Sequence, residues 1–80
     1  MTRYFFHLRD STGEILDPEG VEILAEDVAS AALLSARDCM AGDVKDGCLD
    51  LRYRIDVHDE SGDLVYSQTF SDALEIAEPI

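Results

Sequence analysis

The sequence predicts an α+β domain of ββαββ order, an antiparallel sheet of about four strands with one helix packed on one face. Three observations lead there. Ala25 to Ala41 has no Gly or Pro and carries its apolar residues at helical spacing. A strand-turn-strand pattern with an Asp-x-x-Gly turn precedes it, and a second such pattern follows it. The expected layout in a single domain of 80 residues is a hairpin over 3–24, a helix over 25–41, a hairpin over 52–70 and a C-terminal turn over 71–76.

In the first strand, Arg3 to Arg9, alternation puts Tyr4, Phe6 and Leu8 on one face and Arg3, Phe5, His7 and Arg9 on the other. Asp10-Ser11-Thr12-Gly13 is a turn, with Asp as side-chain acceptor and Gly13 at an expected positive φ. Glu14-Ile15-Leu16 returns, Asp17-Pro18-Glu19-Gly20 turns again, and Val21 to Leu24 is a short extension. On the helix, Ala25, Val28, Ala29, Ala32, Ala36, Cys39 and Met40 form one stripe with Leu33 at its edge. Glu26 and Asp27 place acids in the first turn, where the helix dipole favours them, and Gly42 is the expected stop.

After the charged connection Asp43 to Asp50, Arg52 to His58 alternates with Tyr53, Ile55 and Val57 inward. Asp59-Glu60-Ser61-Gly62 turns, and Leu64 to Phe70 returns. Laid over each other without a gap, the hairpins match Tyr4 with Tyr53, Phe6 with Ile55, Leu8 with Val57, Asp10 with Asp59 and Gly13 with Gly62. A duplication produces such a match, and so does turn geometry acting on two independent hairpins. In the tail, Ser71 opens a turn, Leu74 and Ile76 are expected to close an end of the core, and Pro79 ends regular structure.

Composition narrows the function classes. A hydrophobic content of 46% fits a folded globule, and the net charge of −12 disfavours nucleic acid backbones and anionic membrane surfaces as partners. Self-repulsion at this charge predicts that salt stabilises the fold. The melting temperature is expected to rise from low to moderate NaCl; a steady fall would contradict the repulsion argument. The first residues lack a signal peptide's apolar run and cleavage site, and no run reaches membrane-spanning length, so the expected compartment is the cytoplasm. Two cysteines, Cys39 and Cys48, make neither a disulfide framework nor a metal knuckle.

One helix covers one face of a sheet, so the other face is the informative surface. Its strand positions are Arg3, Phe5, His7, Arg9, Arg52, Arg54, Asp56 and His58, which hold four of the six basic residues and both histidines. These arginines either pair with acids across strands or form an interaction face, where Arg and aromatic residues are enriched. Leu34 points away from the helix stripe and is a lesser contact candidate. No H-E-x-x-H, nucleophile elbow or phosphate-cradling Gly loop is present, so no catalytic residue, metal ligand or cofactor is assigned.

Tyr4-Phe5-Phe6-His7-Leu8-Arg9-Asp10, Gly13, Asp17-Pro18-Glu19-Gly20-Val21-Glu22, Ser35-Ala36-Arg37-Asp38 and the closing Phe70-x-Asp72-Ala73-Leu74-x-Ile76 resemble a family of small bacterial domains of unknown function, common in soil and plant-associated proteobacteria. The resemblance spans nearly the whole chain. It implies a stand-alone cytoplasmic domain and carries no activity, cofactor or catalytic residue with it.

The first functional expectation is a non-enzymatic interaction module, a homodimer through the bare sheet face or a sheet edge. Its contact residues would be Arg3, Phe5, His7, Arg9, Arg52, Arg54 and His58, with Leu34 secondary. The alternatives are a small regulator binding an anionic ligand or nucleic acid through the same arginines, and an acidic decoy for a basic protein.

Overall fold

The computed structural model describes residues 1–77 and 79. Strand β1 (Thr2–Arg9) is followed by β2 (Glu14–Ile15), β3 (Val21–Ile23), a 3-10 turn (Ala25–Asp27), helix α1 (Val28–Lys45), β4 (Arg54–His58), β5 (Leu64–Thr69) and a second 3-10 turn (Ser71–Ala73). The strands form one antiparallel sheet in the order β2-β1-β4-β5, with β3 also paired to β1. This is the expected α+β arrangement with a fifth short strand.

Strand β1 organises the sheet because its two edges do different work. One edge pairs along its length with β4, from Phe5 opposite His58 to Arg9 opposite Arg54. The other is shared by β2 at Leu8 and Arg9 and by β3 at Thr2 to Tyr4. Asp17 bridges the gap between them. Its carboxylate accepts the Phe6 N–H at 3.2 Å and the Gly20 N–H at 3.1 Å, so an edge donor of β1 is satisfied by a side chain. Gly20 has φ +68° and lies so close to β1 that a Cβ there would meet the Tyr4 carbonyl oxygen at 2.7 Å. Only glycine allows that approach.

The first turn differs from expectation at its glycine. Asp10 Oδ1 accepts from the Thr12 and Gly13 N–H groups and from the Thr12 hydroxyl, so the side chain holds the turn. Gly13 is not among the positive-φ glycines, which are Gly20, Gly47 and Gly62. In the second turn Asp59 Oδ1 accepts from the Ser61 and Asp63 N–H groups, and Gly62 does take the left-handed conformation, at φ +86°.

Helix α1 starts later and ends later than expected. Residues 25–27 are a 3-10 turn, and Gly42 lies inside the helix, which runs to Lys45. Glycine costs a helix interior only about 1 kcal/mol, which packing of the buried stripe outweighs. The stop is Gly47. Its φ is +85°, its N–H donates to the Val44 carbonyl, and the Cys48 N–H donates to the Asp43 carbonyl, a Schellman closure. Val28, Ala32, Ala36 and Met40 are buried as the stripe requires, and Leu33 and Cys39 are half-buried, whereas Ala25 and Ala29 are exposed.

The core joins that stripe to Tyr4, Ile55, Val57, Phe70 and Ala73. Phe70 and Ala73 close the end assigned in advance to Leu74 and Ile76, which are 36% and 66% exposed. The Arg37 guanidinium donates to the Ala73 carbonyl at 3.0 Å and ties the tail to α1. The second hairpin begins at Arg54 rather than Arg52, because residues 51 and 52 form a turn.

Candidate interaction surfaces

The sheet face turned away from α1 carries Phe5, His7 and Arg9 from β1, set directly across from His58, Asp56 and Arg54 of β4. Two arginines facing each other would repel, and Asp56 resolves this. Its carboxylate accepts from Arg9 Nη1 at 3.3 Å, from Arg54 Nε at 3.1 Å and from the Ser67 hydroxyl at 2.7 Å. Glu14 sits against Arg9 Nε at 2.7 Å from the other side. Asp56 is only 3% exposed although it points away from the core, since the side chains it binds close over it. Burial pushes its carboxyl upward, but the Ser67 and Arg54 hydrogen bonds and the two guanidinium charges prevail and hold it below the ordinary carboxylate value.

His7 occupies the next position along. The Asp17 N–H donates to its Nδ1 at 2.9 Å, which makes that nitrogen an acceptor and leaves the ring proton to Nε2. Phe5 stacks against it at 6.3 Å and His58 tilts toward it at 5.1 Å between ring centres. Burial, then the neighbouring His58 and Arg9, lower its pKa against the opposing pull of Asp17 and Glu14. An imidazole whose folded pKa lies below its unfolded value leaves the unfolded chain holding more protons. Stability from this group is therefore complete above the unfolded value of 6.5 and is lost as pH falls through it. A titration of the His7 ring by NMR is expected to give a midpoint below 6.5, with His7→Gln flattening the pH dependence of urea unfolding between neutral and mildly acidic pH. A midpoint at or above 6.5 contradicts this account.

Of the residues expected to form the contact, the structure brings Phe5, His7, Arg9, Arg54 and His58 together. Arg3 lies at the far end of β1, where its guanidinium donates to the Glu19 carbonyl and to Glu22. Arg52 is off the sheet: it clips Asp50 from the turn before β4 and leaves its side chain 76% exposed. That bond pulls the Asp50 pKa down to about 2. Leu34, 60% exposed, is on the outer side of α1, away from the sheet face. The arginines thus follow the cross-strand and local pairing alternative. Among the described residues no group of three or more His, Cys, Asp or Glu side chains is placed to hold a metal ion, and no helix is long and apolar enough to cross a membrane.

Two further surfaces stand out, a groove that the sequence did not indicate and the particular sheet edge, expected only as an edge, that the strand order leaves free. Helix α1 packs over β4 and β5, so the β1–β2 half of its own sheet face stays open. There Ile15, Leu16 and Val21 are 67%, 56% and 43% exposed beside half-buried Phe6 and Leu8. The resulting groove, about 600 Å³, is walled on the helix side by Ala31, Ser35, Asp38 and Cys39. Both cysteines are free, and burial, then Asp43 and Asp38, push the Cys39 thiol pKa up. The other surface is the outer edge of β5, which has β4 on one side and no described strand on the other.

The signature residues of β1, its Asp and Gly turns and the Asp17-Pro18-Glu19-Gly20 strap that caps β1 all lie inside residues 3–71, which match the model of a domain of unknown function, DUF6894. The chain belongs to the DUF6894 family. No curated protein and no solved structure matches it. Membership of DUF6894 brings no activity, so function has to be argued from these surfaces.

Proposed function

We propose that this DUF6894 domain is a non-enzymatic cytoplasmic interaction module that self-associates through the free edge of β5. The observation that carries the reading is the chemistry of that edge. Leu64–Thr69 holds no charged residue and no proline in a chain that is 30% charged, and Leu64 and Val65 are 57% and 46% exposed. Proteins that stay monomeric blunt such edges with lysine, proline or inward charges. The bulge at Val57/His58 twists the start of the strand, while Tyr66 to Thr69 keeps regular pairing geometry. Antiparallel pairing of β5 with β5 of a second copy continues the sheet across a two-fold axis and places no charged side chain of β5 against its symmetry mate. The open sheet face supports self-association less well, because Arg9 and Arg54 are engaged with Glu14 and Asp56 at home. The same engagement weighs against an anionic ligand or nucleic acid held by these arginines.

Sedimentation velocity from low micromolar to high concentration, in moderate salt to screen the charge, tests the reading. A monomer–dimer equilibrium is expected, abolished by Leu64→Lys with Val65→Lys at unchanged circular dichroism. A monomer at every concentration, or a dimer untouched by the double variant, overturns it.

A further inference from the structure

From the open groove between α1 and the β1–β2 ribbon, we infer a docking site for a cationic amphipathic helix of a partner protein. The observations are separate from those for the β5 edge, which lies on the far side of the sheet order. The groove floor is apolar, with Leu8, Leu16 and Val21 among its lining, and the exposed fractions of Leu16 and Val21 are those of side chains waiting for a cover. At about 600 Å³ it has the volume of a ligand site, but it is open along one side, which suits two or three side chains of a peptide better than an enclosed small molecule. Its helix wall runs from Ala31 to Cys39, about 12 Å or a little over two helical turns at the ordinary rise, the length over which a docked helix presents apolar side chains at i and i+4.

Charge selects the occupant. The lining includes two carboxylates, Asp17 and Asp38, and no basic side chain. Asp43 is close enough to Cys39, itself in the wall, for its charge to act on the thiol. Five of the six basic side chains are committed elsewhere, and the sixth, Lys45, stands in the last turn of α1 outside the groove lining. Arg9 and Arg54 bind Asp56 on the opposite face, Arg3 binds Glu22, Arg52 binds Asp50 and Arg37 binds the Ala73 carbonyl. With a net charge of −12 over the whole chain, a segment with leucine-type anchors flanked by Lys or Arg is attracted to the groove, whereas a second copy of this chain brings the same sign of charge.

The test uses a synthetic three-turn Leu/Lys amphipathic peptide, the same peptide with Glu for Lys, and the full chain labelled for NMR. The Leu/Lys peptide is expected to shift the amide signals of Leu16, Val21, Ala31 and Ser35 with micromolar affinity, and the Leu/Glu peptide is expected to shift none of them. Leu16→Ser with Asp38→Lys changes exposed side chains only and is expected to weaken binding at least tenfold with the spectrum otherwise retained. Leu64→Lys with Val65→Lys is expected to bind as the unmodified chain does, so failure of the edge pairing leaves this result intact. No binding, equal binding of both peptides, shifts spread over the whole acidic surface, or undiminished affinity of the groove variant overturns the inference.

Discussion

Replacing Phe70 by Ala is expected to remove most of the stability of this domain. Phe70 is 1% exposed, its ring lies 5.8 Å from that of Tyr53, and its N–H donates to the Tyr53 carbonyl at 3.1 Å. Truncating a buried phenylalanine costs about 3–5 kcal/mol in lost transfer energy and cavity formation. An 80-residue domain holds roughly 4–12 kcal/mol in total, and each kcal/mol moves the melting temperature of a domain this size by about 4–8 °C. A fall of about 12 °C or more is therefore expected, with a partly unfolded population at the low end of that stability range. Ile76→Ala provides the comparison: at 66% exposure it should cost no more than about 0.5 kcal/mol. Thermal melts of the two variants side by side decide the matter. Equal losses would show that the core is not closed by Phe70.

Asp56→Ala is the second large effect, and it acts from the opposite face of the sheet. Removing one partner of a buried ion pair costs about 3–5 kcal/mol, because the surviving charge is left without its counterion. Here the survivors are Arg9 and Arg54, whose side chains are 27% and 42% exposed, so solvent screening reduces the expected loss to about 2–3 kcal/mol. The two guanidinium groups then face each other across β1 and β4, with Glu14 still beside Arg9. Asp56→Asn keeps an oxygen for the Ser67 hydroxyl and should lose about half as much. The pH dependence gives an independent readout. Asp56 has a folded pKa below its ordinary 3.8, so its contribution is present above that value and drains away as pH falls through it. Urea unfolding of the Asn variant should accordingly be flatter than that of the parent in this acid range. An identical acid slope in both proteins would mean the carboxylate is not held by its neighbours.

These two residues show where sequence reading stops. The alternation in Arg3 to Arg9 and Arg54 to His58 assigns these side chains of β1 and β4 to a face, because a regularly paired strand has a period of two, which the unbroken β1–β4 register keeps. That assigns Asp56 outward. It does not reveal that Arg9 and Ser67, distant in sequence, close over it until it is buried. In the same way, helical spacing identifies Val28, Ala32, Ala36 and Met40 as core without saying which strands they cover. Gly42 and Gly47 stand five residues apart in one acidic stretch. Only the packing of the last helical turn decides that the second ends α1 and the first does not.

The candidate surfaces divide along the same line. The pairing of arginines with acids was one of two readings open from the strand pattern, and the cross-strand register chooses it. Arg52 left the face because the chain turns at residues 51 and 52, where Asp50 captures the guanidinium within two residues. A sheet edge was one of the contacts expected from the sequence, and β5 reads there as an uncharged strand, but which strand lies at the edge and where the groove opens had no sequence signal. Both arise from the lateral placement of α1 over β4 and β5 and from the order of strands in the sheet.

Residue order alone determined the α+β class, the inward and outward sides of β1 and β4, the Val28, Ala32, Ala36 and Met40 line of the helix and the excess of negative charge, since each follows from local periodicity or from counting. The tertiary structure decided the burial of Asp56, the closure of the core by Phe70, the edge left to β5 and the apolar groove beside α1. Those depend on contacts between segments far apart in the chain, where loop paths and helix position, rather than local propensity, set which groups meet.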